Sequence, residues 1–108
     1  MKKILLLILL LISGITYSQI QVIHFNASWN ASNDVKWVEE LTDCKVKNID
    51  IATNTKAATD HKITVVPTIL VIVDGEEEER YEADISFSMQ ATKEDIQEVI
   101  DEIVMDQF

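Results

Sequence analysis

The chain has 108 residues, nine basic against nineteen acidic side chains, a net charge of −10, and only two Gly, one Pro and one Cys. One cysteine excludes an intrachain disulfide, a cysteine-based zinc site and a Cys-x-x-Cys redox pair, and two histidines far apart form no zinc motif. Two isolated glycines exclude the dinucleotide fingerprint and the phosphate-binding loop, and the acid excess argues against nucleic acid or an anionic membrane surface as partner. No metal and no cofactor are expected.

In chain order, Lys2 and Lys3 precede an unbroken apolar run from Ile4 to Ile12. A more polar exit, Ser13 to Ser18, follows with the small residues Thr16 and Ser18 at its end. This is the plan of a secretory signal peptide over residues 1–18, and the run is shorter than the roughly 20 residues a membrane-spanning helix needs. The expectation is export to the periplasm or the medium, the alternative being a chain anchored by the uncleaved segment. Residues 19–108 then form a single domain whose charge, without Lys2 and Lys3, moves from −10 to −12. Lacking disulfide staples, that domain must be held by its apolar core.

Ile20-Gln21-Val22-Ile23-His24-Phe25 is β-branched and aromatic and predicts a buried strand. The polar stretch from Asn26 to Asn33 interrupts it. Val35, Val38 and Leu41, flanked by Trp37, predict a short amphipathic helix ending near Asp43. Val46 to Ile51 alternates as a second strand, and Asn54 to His61 suits a short, mostly exposed helix. Thr68 to Val73 is too uniformly apolar to have a wet face and predicts a central strand. Asp74-Gly75 signals a type I′ hairpin turn, with Glu77 to Ala83 as the returning edge strand. Thr92 and Asp95 form a capping box for a last helix whose stripe is Ile96, Val99, Ile100, Ile103 and Val104. The order is β-α-β-α-β-β-α, an α/β mixed sheet of four strands with helices on both faces.

Within that order, Val22-Ile23-His24-Phe25-Asn26-Ala27-Ser28-Trp29 resembles the strand leading into the active site of thioredoxins, where a Trp directly precedes Cys-x-x-Cys. His61 to Thr68 with its Val66-Pro67-Thr68, then Ile69-Leu70-Val71 and Asp74-Gly75, resembles the cis-proline segment and hairpin of the same family. The resemblance spans residues 20–105 and implies a minimal thioredoxin-like fold without the first strand and helix of full-length members.

The departures bear on function. Trp29 keeps its place, but Asn30 and Asn33 stand where the family has its nucleophilic and resolving cysteines. A carboxamide forms no thiolate and no mixed disulfide, so disulfide exchange is not expected. His24 stands where the family has a buried acid. Asn is a strong helix N-cap, which predicts a capping role for Asn30, with Asp34 favouring the helix dipole in the first turn. The resemblance also implies that Pro67 is cis, that Val66 offers its main chain to an extended partner, and that the Ile85 to Met89 loop lies beside the same site. Trp29, Asn30, Asn33, Val66, Pro67 and Phe87 are therefore the candidate binding residues of a module for a protein or extended peptide segment. No catalytic residue is assigned.

Cys44 supports the competing reading, a thiol-redox enzyme or accessory protein using one thiol, since Lys45 and Lys47 would lower its pKa if the sulfur were exposed. A buried, inert Cys44 is the simpler expectation. His24 is expected to be a hydrogen-bonded core residue, and Glu76 to Glu79 a solvated hairpin that protects an edge strand. Asn26-Ala27-Ser28 and Asn30-Ala31-Ser32 match the glycosylation sequon, which arises often by chance.

Overall fold

The computed structural model describes residues 19–107, so the predicted signal segment lies outside the described residues. Four strands, β1 (Ile20–Asn26), β2 (Lys45–Asp50), β3 (Thr68–Val73) and β4 (Glu76–Glu82), form one sheet in the order β2-β1-β3-β4. β2 is parallel to β1, while β3 is antiparallel to both β1 and β4. Helix α1 (Thr55–Asp60) joins β2 to β3, and α2 (Lys93–Asp106) ends the chain.

The connection from β1 to β2 differs from the sequence expectation. Two 3-10 segments, Ser28–Asn33 and Lys36–Glu40, replace the single amphipathic helix. The reason lies in the spacing itself. Val35, Val38 and Leu41 recur at strict three-residue steps, which align in a helix of three residues per turn but drift around an α-helix. All three are buried in the same cluster.

Strand alternation divides the core between the two faces of the sheet. Ile20 and Val22 of β1 with Ile69 and Val71 of β3 pack beneath Val35, Val38, Leu41 and the α2 residues Ile96 and Ile100. Ile23 and Phe25 with Leu70, Ile72 and Ile49 form the other layer, against which Ala57 of α1 and Ile63 pack. Thr68 to Ile72 are all buried, as a strand paired on both edges and covered on both faces requires. Of the predicted α2 stripe, Ile96 and Ile100 are buried and Val99, Ile103 and Val104 are half-buried.

Local signals set the boundaries. Asp74 and Gly75 have φ of 52° and 85°, the pair of positive values that a type I′ turn demands. Asn54 caps α1 by accepting the Ala57 N–H at 3.1 Å. Thr92 Oγ1 accepts the Asp95 N–H at 3.2 Å while Asp95 Oδ2 accepts the Thr92 N–H at 2.9 Å, closing the capping box of α2. On the acidic β4 edge, the Arg80 guanidinium donates to Glu77 at 2.8 Å and to the His61 carbonyl at 2.6 Å, tying the hairpin to the end of α1. Among the described residues no helix is long and apolar enough to cross a membrane.

The Val66–Pro67 peptide is cis. Thr68, the next residue, pairs with Phe25 of β1 and with Glu82 of β4. Three segments therefore meet at one end of the sheet: the chain leaving β1 at Ala27, the chain entering β3 at Val66, and the chain leaving β4 at Ala83.

Candidate functional site

The site at that end is built around asparagine amides. Asn30 is only 5% exposed. Its Nδ2 donates to Asn26 Oδ1 and to the Phe87 carbonyl, each at 3.1 Å, and its Oδ1 accepts from Asn33 Nδ2 at 2.9 Å. Asn26, also buried, donates in turn to the Asn30 carbonyl at 3.1 Å and to the Asp34 carboxylate. Both buried amide nitrogens are thus engaged inside the protein, which leaves neither sequon asparagine presented as a glycan acceptor.

This overturns the predicted capping role of Asn30. The first 3-10 segment is entered at Ala27 without a side-chain cap, and Asn30 sits inside it at φ −114°, ψ 24°, outside helical geometry. Its side chain bridges to the Phe87 loop instead, a long-range partner that local spacing cannot reveal. Asp34 follows the segment rather than opening it, and its carboxylate holds Asn26.

Above this network Trp29 is 65% exposed and Phe87 is 43% exposed. Their ring centroids are 5.4 Å apart at 89°, an edge-to-face pair. Such a pair adds about 0.5–1.5 kcal/mol beyond area burial. Phe87 has a φ of 61°, in the left-handed region that an aromatic residue rarely adopts. The loop around it is fastened to impose this. Phe87 N–H donates to the Asp84 carbonyl at 3.0 Å and Asp84 N–H to the Ser88 carbonyl at 3.2 Å. The Asp84 carboxylate accepts from Ser86 N–H at 2.9 Å and Gln90 Nε2 at 2.9 Å, as well as from the Ser86 hydroxyl. The hydroxyl bond of Ser86, then its N–H, holds the Asp84 carboxyl below the usual carboxylate range. Asp84 was absent from the sequence-derived site; the signal for it is the Asp84-x-Ser86-x-Ser88 spacing of a side-chain-closed turn.

Of the predicted binding residues, Trp29 and Phe87 are thus brought together at the surface, and Asn30 and Asn33 are bonded beneath them. Val66 and Pro67 are buried at the entrance to β3, at the same end of the sheet.

His24 is buried on β1, its Nδ1 2.9 Å from Asn48 Oδ1, while Asn48 Nδ2 donates to Glu39 at 2.6 Å. Cys44 is a free, half-buried thiol beside Lys45, which pairs with Gln21 near the start of β1. It therefore lies at the opposite end of the sheet from Trp29. Burial, and then the neighbouring Asp43 carboxylate, push its pKa up, so Lys45 and Lys47 do not activate it. Among the described residues no group of three His, Cys, Asp or Glu side chains is placed to hold a metal ion.

No protein-family model matches the chain, and no curated protein matches it in sequence. Solved structures do. An N21Q mutant of thioredoxin from Halobacterium salinarum is 22% identical, with a TM-score of 0.64 over 80% of this chain and 75% of that one. Thioredoxin from Fasciola hepatica is 26% identical, with a TM-score of 0.57 over 80% of this chain and 82% of that one. Thioredoxin O2 from Arabidopsis thaliana is 15% identical, with a TM-score of 0.56 over 81% of this chain and 76% of that one. By its sheet order, its helices on both faces and these neighbours, the chain has a thioredoxin-like fold.

Proposed function

We propose that this is an exported binding module for extended protein or peptide segments, built on a thioredoxin-like scaffold that has given up thiol–disulfide exchange. The observation that carries the reading is the exposed Trp29–Phe87 pair. Two large aromatic side chains left in solvent cost hydration free energy, and the protein braces the Phe87 loop and sets its ring against Trp29 rather than burying them. Aromatic residues on a fixed base are the common energetic anchors of recognition sites.

The chemistry of the same site supports the loss of redox activity. Asn30 and Asn33 supply carboxamides joined by one hydrogen bond, from Asn33 Nδ2 to Asn30 Oδ1, and neither forms a thiolate. Cys44, at the other end of the sheet with a raised pKa, is a poor substitute. Export rests on the Lys2-Lys3 and Ile4 to Ile12 pattern of the sequence.

The test is a titration with unfolded, extended peptides read by Trp29 emission in a Trp37→Phe background. A saturable change is expected, weakened by about tenfold or more in Phe87→Ala. Absence of binding in both proteins removes the reading. In parallel, an insulin reduction assay should show no catalysis; activity that disappears in Cys44→Ser would establish the monothiol enzyme instead.

A further inference from the structure

The sheet order β2-β1-β3-β4 leaves two edges without a strand neighbour among the described residues, the outer side of β2 and the outer side of β4. The main chain of Lys45 to Ile49 and of Glu76 to Glu82 takes part in no hydrogen bond outside the sheet among the described residues. Each edge therefore presents a row of unpaired N–H and C=O groups, a template for a further strand. The two rows differ in charge. β2 reads Lys-Val-Lys-Asn-Ile-Asp, whereas β4 reads Glu-Glu-Glu-Glu-Arg-Tyr-Glu. Lys45 and Lys47 are exposed and join no ion pair among the described residues, and the same holds for Glu76, Glu78 and Glu79.

Strand alternation assigns these side chains to faces. Lys47 and Ile49 stand opposite Ile23 and Phe25, so Lys45 and Lys47 project on the α1 side of the sheet. Glu76 and Glu79 stand opposite Val73 and Val71, on the α2 side, while Arg80 stands opposite Leu70 on the α1 side. A second copy that adds its β4 antiparallel to β2 is turned over, so its α2 side continues the α1 side of the first copy. Lys45 and Lys47 then run beside Glu76 and Glu79, on the side away from Arg80. Parallel addition would set the two lysines beside Arg80 instead. Opposite charges on neighbouring strands stabilise and like charges destabilise, so the glutamates guard β4 against another β4 and match it to β2. The net charge of −10 drives copies apart at long range. That repulsion is screened beyond about 8 Å at physiological salt, whereas side chains directly opposed on neighbouring strands lie about 4.5–5.5 Å apart.

We propose that the β2 edge receives the β4 edge of a second copy of this chain in antiparallel sense, extending the sheet from one molecule to the next. The contact is heterologous, since a different strand is used on each side, and every added copy leaves one edge of each kind open. The products form a series of increasing size rather than a closed dimer. Neither edge includes Trp29 or Phe87, so the proposal is independent of the extended-segment reading.

Sedimentation equilibrium over about 0.05–1 mM protein in about 0.15 M salt tests it. The average mass should rise with concentration without levelling at the dimer. Lys45→Glu with Lys47→Glu changes the charge by −4, from −10 to −14, and Glu76→Lys with Glu79→Lys changes it by +4, from −10 to −6. Each double variant should associate about fivefold more weakly or worse. The second is the sharper comparison, because a smaller net charge would by itself favour association. All four substitutions in one chain restore the charge of −10 and exchange the two edges, so association should return. Mixing the two double variants, each of which then meets its complement, should restore it as well. All four positions are exposed, and circular dichroism checks that each variant is folded. A wild-type protein that stays monomeric throughout, association untouched by either reversal, or failure of both the fourfold variant and the mixture to recover would overturn the proposal. Loss of association in Phe87→Ala would assign the contact to the aromatic surface and overturn it equally.

Discussion

Replacing Asn30 with alanine removes the amide that joins β1, the first 3-10 segment and the Phe87 loop. Three hydrogen bonds go with it: to Asn26 Oδ1, to the Phe87 carbonyl and from Asn33 Nδ2. Asn26 is buried and Oδ1 has no second partner among the described residues, so this oxygen loses its only bond inside the protein at a cost of about 1–3 kcal/mol. The Phe87 carbonyl and Asn33 can turn toward water, and their lost bonds add about 0.5–1 kcal/mol together. The total is roughly 1.5–4 kcal/mol, which for a domain of this size lowers Tm by roughly 6–30 °C. Urea and thermal unfolding followed by circular dichroism measure it. Asn33→Ala removes only the bond to Asn30 Oδ1 and leaves the links to Asn26 and the Phe87 carbonyl intact, so it should cost less than Asn30→Ala. A loss below about 1 kcal/mol for Asn30→Ala, or one no larger than that of Asn33→Ala, would refute the view that Asn30 braces the aromatic pair. Trp29 fluorescence anisotropy should fall in Asn30→Ala even in the folded protein, because the Phe87 loop is released.

Three further outcomes follow from single contacts. Thr92→Ala removes half of the α2 capping box and should cost about 1 kcal/mol in thermal unfolding, while Thr92→Ser should be close to neutral. Cys44 should react with a disulfide reagent at neutral pH more slowly than a free thiol, with the rate rising above the ordinary thiol range, and Asp43→Asn should accelerate it by removing a charge that disfavours the thiolate. Asp84 has a depressed carboxyl pKa in the fold, so its ordering of the Phe87 loop is present at neutral pH and above the ordinary carboxylate range and is lost as acid protonates it. Trp29 emission should therefore change on acidification before global unfolding, and Asp84→Asn should show the acid form's emission at neutral pH.

The strands, the hairpin and the last helix were legible because each rests on a local signal: the apolar run of β3, the Asp74-Gly75 turn, the Thr92–Asp95 box. Proximity of Trp29 and Phe87 was reachable only through the resemblance, since nothing in a linear pattern brings residues 58 positions apart into contact. The first helix was misread because Val35, Val38 and Leu41 satisfy an α-helical template loosely and a 3-10 repeat strictly. Asn30 was misread for a related reason. Cap preference is a local statistic, and the tertiary partners Asn26 and Phe87 outcompete a backbone N–H for the same side chain.

The central claim is that extended polypeptide binds at the end of the sheet where three segments converge. Amide chemical-shift mapping on addition of an unfolded polypeptide tests it most directly. The account predicts saturable shifts concentrated in residues 27–34, 65–67 and 84–89, and none of comparable size around Cys44 or along α1. Shifts centred on Cys44, or none anywhere at saturating polypeptide, would contradict it.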